Sequence, residues 1–279
     1  MMIPRSSKTI LLAAACSLAS LPVLAAASET MVRLFAERTA MVRLDSQCRL
    51  FTAEERVGLT AFTAQARGAL LRAGESDTRV AGLERSARDA ASRRACTEPV
   101  VATEAGRVRR AFQAWRTQMT AVYPGTVRSW QASRAGVDAW RSWQELGGGV
   151  RAGFLRTETG AVFAVESPDT SVASARLFLR DPRRLGPPTA GGRLQVPLRA
   201  GTISHTAAAR RAAVTKVRVE AAPRAGTLLV FADATTLAVS QADPRDSFEV
   251  ELVSRTGAVR TVVVEVGDIT AAWATAAVR

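Results

Sequence analysis

The chain has 279 residues, of which 47% are hydrophobic and only 5% aromatic, and its 38 basic and 25 acidic residues give a net charge of +13 at pH 7. This length allows two domains or one large domain, with cores built largely of Ala, Val and Leu. No block of five like charges occurs, and abundant arginine and alanine with almost no lysine are typical of a GC-rich genome. We therefore expect no nucleic-acid partner, only a weak, salt-sensitive attraction to acidic envelope polymers.

The N-terminus has the pattern of a secretory signal peptide. Two basic residues precede an uncharged apolar run over residues 9–27, which ends in the small residues Ala25–Ala27. We predict cleavage before Ser28, a periplasmic or secreted location, and no stable transmembrane anchor after processing. A retained anchor is the alternative. A lipoprotein modified at Cys16 is disfavoured, because Ala13 stands where such sites usually have a bulky aliphatic residue.

Three helices are predicted at the start of the mature chain. The apolar spacing places the first over residues 30–47, the second between Thr52 and Gly74, and the third over residues 77–95. Thr52 and Glu55 have the spacing of a capping box, and Gly74 is a natural C-terminal stop. Because consecutive helices with short connections pack antiparallel, the first and third should end at the same end of a bundle.

The two cysteines of the mature chain, Cys48 and Cys96, stand at those two helix ends. In an exported protein an even pair of cysteines indicates a disulfide. A redox-active pair is the alternative, but no Cys-x-x-Cys spacing supports it. The sequence therefore predicts a structural disulfide that pins the bundle.

The clearest helical periodicity begins after Pro99. Apolar residues recur in alternating steps of four and three from Val101 to Met119, and they include Phe112 and Trp115. This spacing predicts a fourth helix whose apolar stripe packs in the core.

A tryptophan-rich segment follows between residues 127 and 146, and its spacing predicts a fifth helix. Flat indoles beside guanidinium and amide groups could stack on sugar rings or hold a partner peptide. Ligand contact is one interpretation, and packing against the rest of the chain is the other. The candidate binding residues are Trp130, Arg134, Trp140, Arg141, Trp143 and Gln144.

Three glycines, Gly147–Gly149, then indicate a junction, because they have no side chains to pack and little conformational restriction. We predict a signal peptide over residues 1–27, a helical-bundle domain over 28–146, a glycine-rich junction over 147–153 and a β-rich domain over 154–279.

Beyond the glycines the hydrophobic pattern changes to short runs rich in Val, Leu and Phe, separated by turn signals. The runs are AVFAVES (161–167), ARLFLR (175–180), RLQVPL (193–198), TKVRVE (215–220), TLLVFA (227–232), TLAVSQ (236–241), FEVELVS (248–254) and VRTVVVEV (259–266). They predict an antiparallel β-sandwich or small barrel, and hence an α+β fold. Residues 203–213 and 269–278 predict two short helices.

The familiar catalytic and metal-binding patterns are missing from the sequence. His205 is the single histidine, and neither a Gly-x-Ser-x-Gly elbow nor a phosphate-binding glycine loop that opens a helix occurs. We therefore expect no metal and no cofactor. Paired carboxylates are the remaining route to catalysis, and the candidates are Glu145, Glu158, Glu166, Glu249, Glu251 and Glu265.

These observations favour an exported, non-enzymatic protein of the bacterial envelope that serves as an interaction or assembly module. Its expected partner is an envelope protein or an anionic glycan. The main alternative is an envelope hydrolase that acts on a glycan with carboxylates from a domain cleft. A third hypothesis, a structural assembly subunit, predicts a large apolar patch and a stable oligomer.

Overall fold

A computed structural model describes residues 21–278 except 138–139, 159, 190–193 and 216–223. Residues 1–20 of the predicted signal peptide lie outside this part, and the predicted cleavage before Ser28 falls inside the first helix, so both stay predictions. Four helices come first: α1 (Leu21–Cys48), α2 (Ala53–Arg72), α3 (Asp77–Ser92) and α4 (Pro99–Thr117).

The rest of the described chain is mainly β-structure. Its strands are β1 (Thr120–Pro124), β2 (Ser129–Val137), β3 (Trp140–Gly147), β4 (Val150–Thr157), β5 (Gly160–Ser167), β6 (Val172–Arg180), β7 (Thr202–Thr206), β8 (Ala209–Thr215), β9 (Arg224–Val230), β10 (Ser247–Ser254) and β11 (Val259–Glu265). Helix α5 (Asp233–Ser240) precedes β10, and α6 (Ile269–Ala277) follows β11.

The predicted helix signals in the N-terminal part are confirmed. The Thr52 hydroxyl accepts the backbone N–H of Glu55 at 3.3 Å, and the Glu55 carboxylate accepts the backbone N–H of Thr52 at 2.9 Å, which is the capping box. Helix α2 ends before Gly74, whose φ is 94°. Cys48 and Cys96 form the predicted disulfide, with their Cα atoms 5.6 Å apart.

The strands form two antiparallel sheets, which confirms an α+β fold. One has seven strands in the order β1-β2-β3-β4-β5-β9-β8, and the other has four in the order β11-β10-β6-β7. The small barrel is wrong for the residues that the structure describes, because β1 and β8 remain opposite edges of the larger sheet and do not pair with each other.

Both sheets and helices α2, α4, α5 and α6 contribute to the main core, whereas α1 and α3 pack in two separate apolar clusters with residues of α2 and α4. Phe163 of β5 contacts Phe154 of β4 and Phe248 of β10, with ring centroids 5.5 and 5.9 Å apart. Phe112 and Trp115 of α4 belong to the same buried cluster, as do most residues of α6. Helix α6 contacts α2 and strands β1 to β5. The main core is therefore built jointly by residues from distant parts of the chain.

The predicted fifth helix over residues 127–146 is wrong, because this segment forms β2 and most of β3. The helix-like spacing of the tryptophans arises from a β-bulge. Trp140 pairs with Leu155, but the next pairs are Ser142 with Phe154 and Trp143 with Gly153, so Arg141 is the extra residue. The bulge puts Trp140 and Trp143 on the same face of the sheet, which is the arrangement that their spacing of three suggested for a helix.

The three glycines form a hairpin turn between two strands of one sheet. Gly147, Gly148 and Gly149 have φ values of 89°, 57° and 74°, a left-handed conformation that only glycine adopts readily three times in succession. Since β3 and β4 pair directly, the predicted junction over residues 147–153 lies inside a hairpin.

Several local predictions in the β-rich part also change. Residues 236–241 lie in and just after α5 and are not a strand, and residues 203–213 form β7 and β8 rather than a helix. The run RLQVPL does not form a strand over 194–198, the part of it that the structure describes. The run TKVRVE lies outside the described residues except for Thr215. The terminal helix is confirmed as α6.

Candidate ligand-binding cleft

A cavity of about 550 Å³ lies where α2, the end of α5 and the four-stranded sheet meet. This volume is within the usual range of small-molecule sites, roughly 300–1,000 Å³. Its walls combine residues from the helical part, the loop after β6, strand β7 and the start of β10.

One wall of the cleft is apolar. The loop after β6 begins with a tight turn, in which the carbonyl of Asp181 accepts the backbone N–H groups of Arg184 and Leu185 at 3.0 Å. Leu185 then packs so closely on Gly201 that an added Cβ would lie 2.3 Å from the leucine Cγ. The apolar lining consists of Leu179, Pro182, Leu185, Pro187, Pro188, Ile203, Ala238, Ala242, Phe248 and Val266.

An ion pair closes the floor of the cleft. Arg180 binds the Asp246 carboxylate through Nε at 2.6 Å and Nη2 at 3.2 Å, and its Nη1 donates to the carbonyl of Gly186 at 3.0 Å. Burial raises the pKa of Asp246, although the Arg180 charge opposes this shift. The Arg180–Asp246 pair holds the loop after β6 through Gly186. Because the two charges compensate each other, a charged ligand would be recognised by other residues of the cleft.

Ser247 and Arg67 are polar residues of the lining. Ser247 is only 1% exposed, and its hydroxyl has no hydrogen-bond partner among the described residues. A buried hydroxyl without a partner costs free energy, which a bound polar group would recover. Arg67 of α2 has no carboxylate within ion-pair distance in the described part of the chain. The charge of Arg67 helps to lower the pKa of Asp77. Both carboxylate oxygens of Asp77 accept hydrogen bonds from Arg245 at 2.9 Å.

His205 of β7 also lines the cleft. Its Nδ1 lies 3.1 Å from the Thr235 hydroxyl, and Nε2 has no hydrogen-bond partner among the described residues. Burial lowers the pKa of His205, so the imidazole is neutral at pH 7. The Ser247 hydroxyl is not hydrogen-bonded to His205 in this structure.

Three of the six candidate binding residues lie in the protein interior. Trp130, Trp140 and Gln144 are 0%, 2% and 1% exposed. The Trp130 indole N–H donates to the carbonyl of Val266 at 2.9 Å, and that of Trp140 to Glu166 at 3.1 Å. This burial, with hydrogen bonds inside the protein, supports the alternative interpretation of packing for these three residues.

The other three candidates, Arg134, Arg141 and Trp143, are half-buried. Trp143 packs beside Trp140 on the outer face of the large sheet, whereas Trp130 lies on the opposite face against Phe154. The six residues therefore do not form one surface, and a binding role for these three stays a prediction.

The six glutamates of the hydrolase hypothesis are dispersed. Glu166 pairs with Arg151 at 2.7 Å, and Glu265 accepts the backbone N–H groups of residues 126–128. Glu249 and Glu251 both bind Arg199 at 2.5 Å. Glu145 and Glu158 are exposed, and none of the six lines the cleft.

Within the described ranges, no three His, Cys, Asp or Glu side chains are grouped as a metal site would require. None of the described helices is long and apolar enough to cross a membrane. Sequence reasoning missed Arg67, Arg180 and Ser247, because they are distant in the chain and follow no motif. The proline-rich loop after β6 is the available signal, and its sequence alone predicts only a turn.

No protein family, no curated protein and no solved structure matches this chain. The cleft and its chemistry are therefore the basis for a functional assignment.

Proposed function

We propose that this protein is an exported, non-enzymatic binding module of the bacterial envelope, periplasmic or secreted, which holds an anionic glycan in the cleft. The signal-peptide pattern supports export, and the Cys48–Cys96 disulfide is in keeping with an oxidising compartment. In this proposal α1 to α4 act as a bundle and the two sheets as a sandwich, and the cleft lies between them.

The lining suits one saccharide unit that carries a carboxylate. The Arg67 guanidinium would bind the carboxylate, while the Ser247 hydroxyl and the free imidazole nitrogen of His205 would hydrogen-bond to sugar hydroxyls. The prolines and Leu185 offer a flat apolar wall to the C–H face of the ring. The observation that carries the proposal is the buried Ser247 hydroxyl, which has no partner in the described protein.

The test is calorimetric titration of the protein starting at Ser28 with glucuronate, galacturonate and N-acetylmuramate, each beside its neutral counterpart. We expect at least one acid to bind and its neutral counterpart to bind at least about tenfold more weakly, because an unpaired cation recognises the carboxylate. Arg67→Gln should remove this preference. Arg85→Gln is the matched control, because Arg85 is an exposed arginine on α3 and should leave binding unchanged.

The proposal would be contradicted if the acids and their neutral counterparts bound equally well, or if none of these sugars bound. An Arg67→Gln variant that folds and binds as the wild type does would also contradict it. Crosslinking in the native envelope tests the other predicted partner: one enriched protein whose capture is unaffected by Arg67→Gln would favour a protein partner at a different surface.

A further inference from the structure

Three arginines come together at one end of neighbouring strands in the large sheet. On β2 and β3 the pair Ala132–Ser142 is followed by Val137–Trp140, so β2 bulges in the stretch that contains Arg134. Arg141 is the extra residue of the β3 bulge, and Arg156 follows Leu155, the partner of Trp140 on β4. Bulges redirect side chains and are frequent beside functional sites.

These guanidinium groups lack the partners that arginines at such depth normally have. Arg134 lies over the Trp115 ring at 4.3 Å, and its Nη2 is buried without a hydrogen bond in the described part of the chain. Arg141 donates from Nη1 to the carbonyl of Trp140 at 3.3 Å, but its buried Nε has no partner there either. Among the described residues, none of the three lies within ion-pair distance of a carboxylate.

The charge of Arg156 acts on both of the other arginines. Burial is the main cause that lowers the pKa of Arg134 and of Arg141, and the charge of Arg156 lowers both further. Arg116 also lowers the pKa of Arg134, whereas Tyr123 and Glu54, the latter paired with Arg116 at 3.6 Å, raise the pKa of Arg134. Like charges gathered at half-buried positions destabilise the protein unless an anion compensates them.

We propose that Arg134, Arg141 and Arg156 form a binding site for a phosphate monoester dianion. Guanidinium groups bind tetrahedral oxyanions through paired N–H donors, and the Nε of Arg141 and the Nη2 of Arg134 have no hydrogen-bond partner in the described part of the chain. The site shares no residue with the cleft, so it stands independently of the glycan proposal. Free phosphate and the headgroup of an anionic lipid offer the same chemistry.

The experiment measures inorganic phosphate binding by calorimetry at constant ionic strength, with chloride as the reference anion. We expect Arg141→Gln and Arg156→Gln each to weaken phosphate binding about tenfold or more, while Arg85→Gln changes it less than twofold. The melting temperature of each unliganded variant should equal or exceed that of the wild type, because an uncompensated charge has been removed. A purely structural role would instead lower it.

Two outcomes would overturn the site: wild-type protein that prefers phosphate no more than chloride, or folded Arg141→Gln and Arg156→Gln variants that bind phosphate normally. Asp138 lies outside the described residues, so Asp138→Asn is included. A loss of melting temperature in this variant alone would mean that an acid of the chain already neutralises the arginines, which also overturns the proposal.

Vesicles identify the source of the phosphate. Cosedimentation with phosphatidic acid vesicles, but not with phosphatidylcholine vesicles, that is lost in Arg141→Gln would support a lipid headgroup. Phosphate binding without cosedimentation would support a soluble phosphate compound at the same site.

Discussion

His205 is the only histidine of the chain, and its position in the cleft gives it a measurable effect on stability. Burial lowers its pKa in the folded protein, while the unfolded chain keeps a value of about 6.5. At pH values between the folded and the unfolded pKa of His205, the unfolded state binds more protons than the folded state does. The contribution of His205 is therefore fully present above about pH 6.5 and is lost as the pH falls through the folded pKa.

We predict that the free energy of unfolding of the wild type falls more between pH 7 and pH 5 than that of His205→Gln. Urea unfolding at several pH values measures both. The comparison is needed because burial raises the pKa of Asp246 and of Asp268, and these carboxyls favour folding at lower pH instead. Parallel pH profiles for the two proteins would show that His205 is not shielded from water.

At the scale of the elements, the contact between α2 and α4 depends on a missing side chain. A Cβ built on Gly58 would lie 2.5 Å from Cδ2 of Phe112, a buried ring of α4. Gly82 of α3 has open space instead, with nothing within 4 Å of an added Cβ. The two glycines occupy the same kind of helical backbone in different surroundings.

We predict opposite effects for the same substitution at these positions. Gly58→Ala should destabilise the protein by about 1–3 kcal/mol, because it overpacks the α2–α4 contact. Gly82→Ala should stabilise it by about 0.5–1 kcal/mol, because alanine is the better helix former. Chemical denaturation followed by circular dichroism measures both. Stabilisation by Gly58→Ala would mean that Phe112 shifts without cost.

The elements that could be predicted from the sequence are those with local signals. The box of Thr52 and Glu55 starts α2 as expected, and the periodicity after Pro99 gives α4. Cys48 and Cys96 could be paired because Cys48 ends α1 and Cys96 follows the end of α3. Each of these signals involves residues close in the chain or a single strong covalent constraint.

The errors arise where long-range pairing decides the structure. Because of the bulge at Arg141, Trp140 and Trp143 share a face although they are three residues apart, as they would in a helix. Only the pairing with β4 distinguishes this strand from a helix. Residues 236–241 alternate like a strand, yet the Thr236 hydroxyl in α5 accepts the backbone N–H of Phe163 in β5 at 2.9 Å. The cleft was not predictable for the same reason, because Arg67 and Ser247 meet only in the folded chain.

At the scale of the whole molecule, a chain of hydrogen bonds links α4, β1 and α6. The Trp115 indole N–H donates to the Tyr123 hydroxyl at 2.9 Å, which lies 2.6 Å from the Thr275 hydroxyl. Since Thr275 donates its proton to the carbonyl of Ala271 at 3.1 Å, Tyr123 must be the donor to Thr275. All the polar atoms of this buried junction are thereby satisfied.

We predict a single unfolding transition, because α2 and α4 pack both in the main core with the sheets and in the apolar clusters of α1 and α3. Tryptophan fluorescence, which reports mainly on the sheet and α4, and circular dichroism at 222 nm, which reports on the helices, should give the same urea midpoint. Two separate midpoints would instead support independently folding helical and β domains.

The position of α6 also sets the order in which the chain can fold. The helix contacts α2 and strands β1 to β5, yet about 100 residues separate it from β5. At ordinary synthesis rates those residues take roughly 5–20 s to make. During this interval the inner faces of β2 to β5 have no α6 to cover them and are exposed to aggregation. We therefore expect a nascent chain of this protein to keep this apolar face uncovered until residues 269–277 have been synthesised.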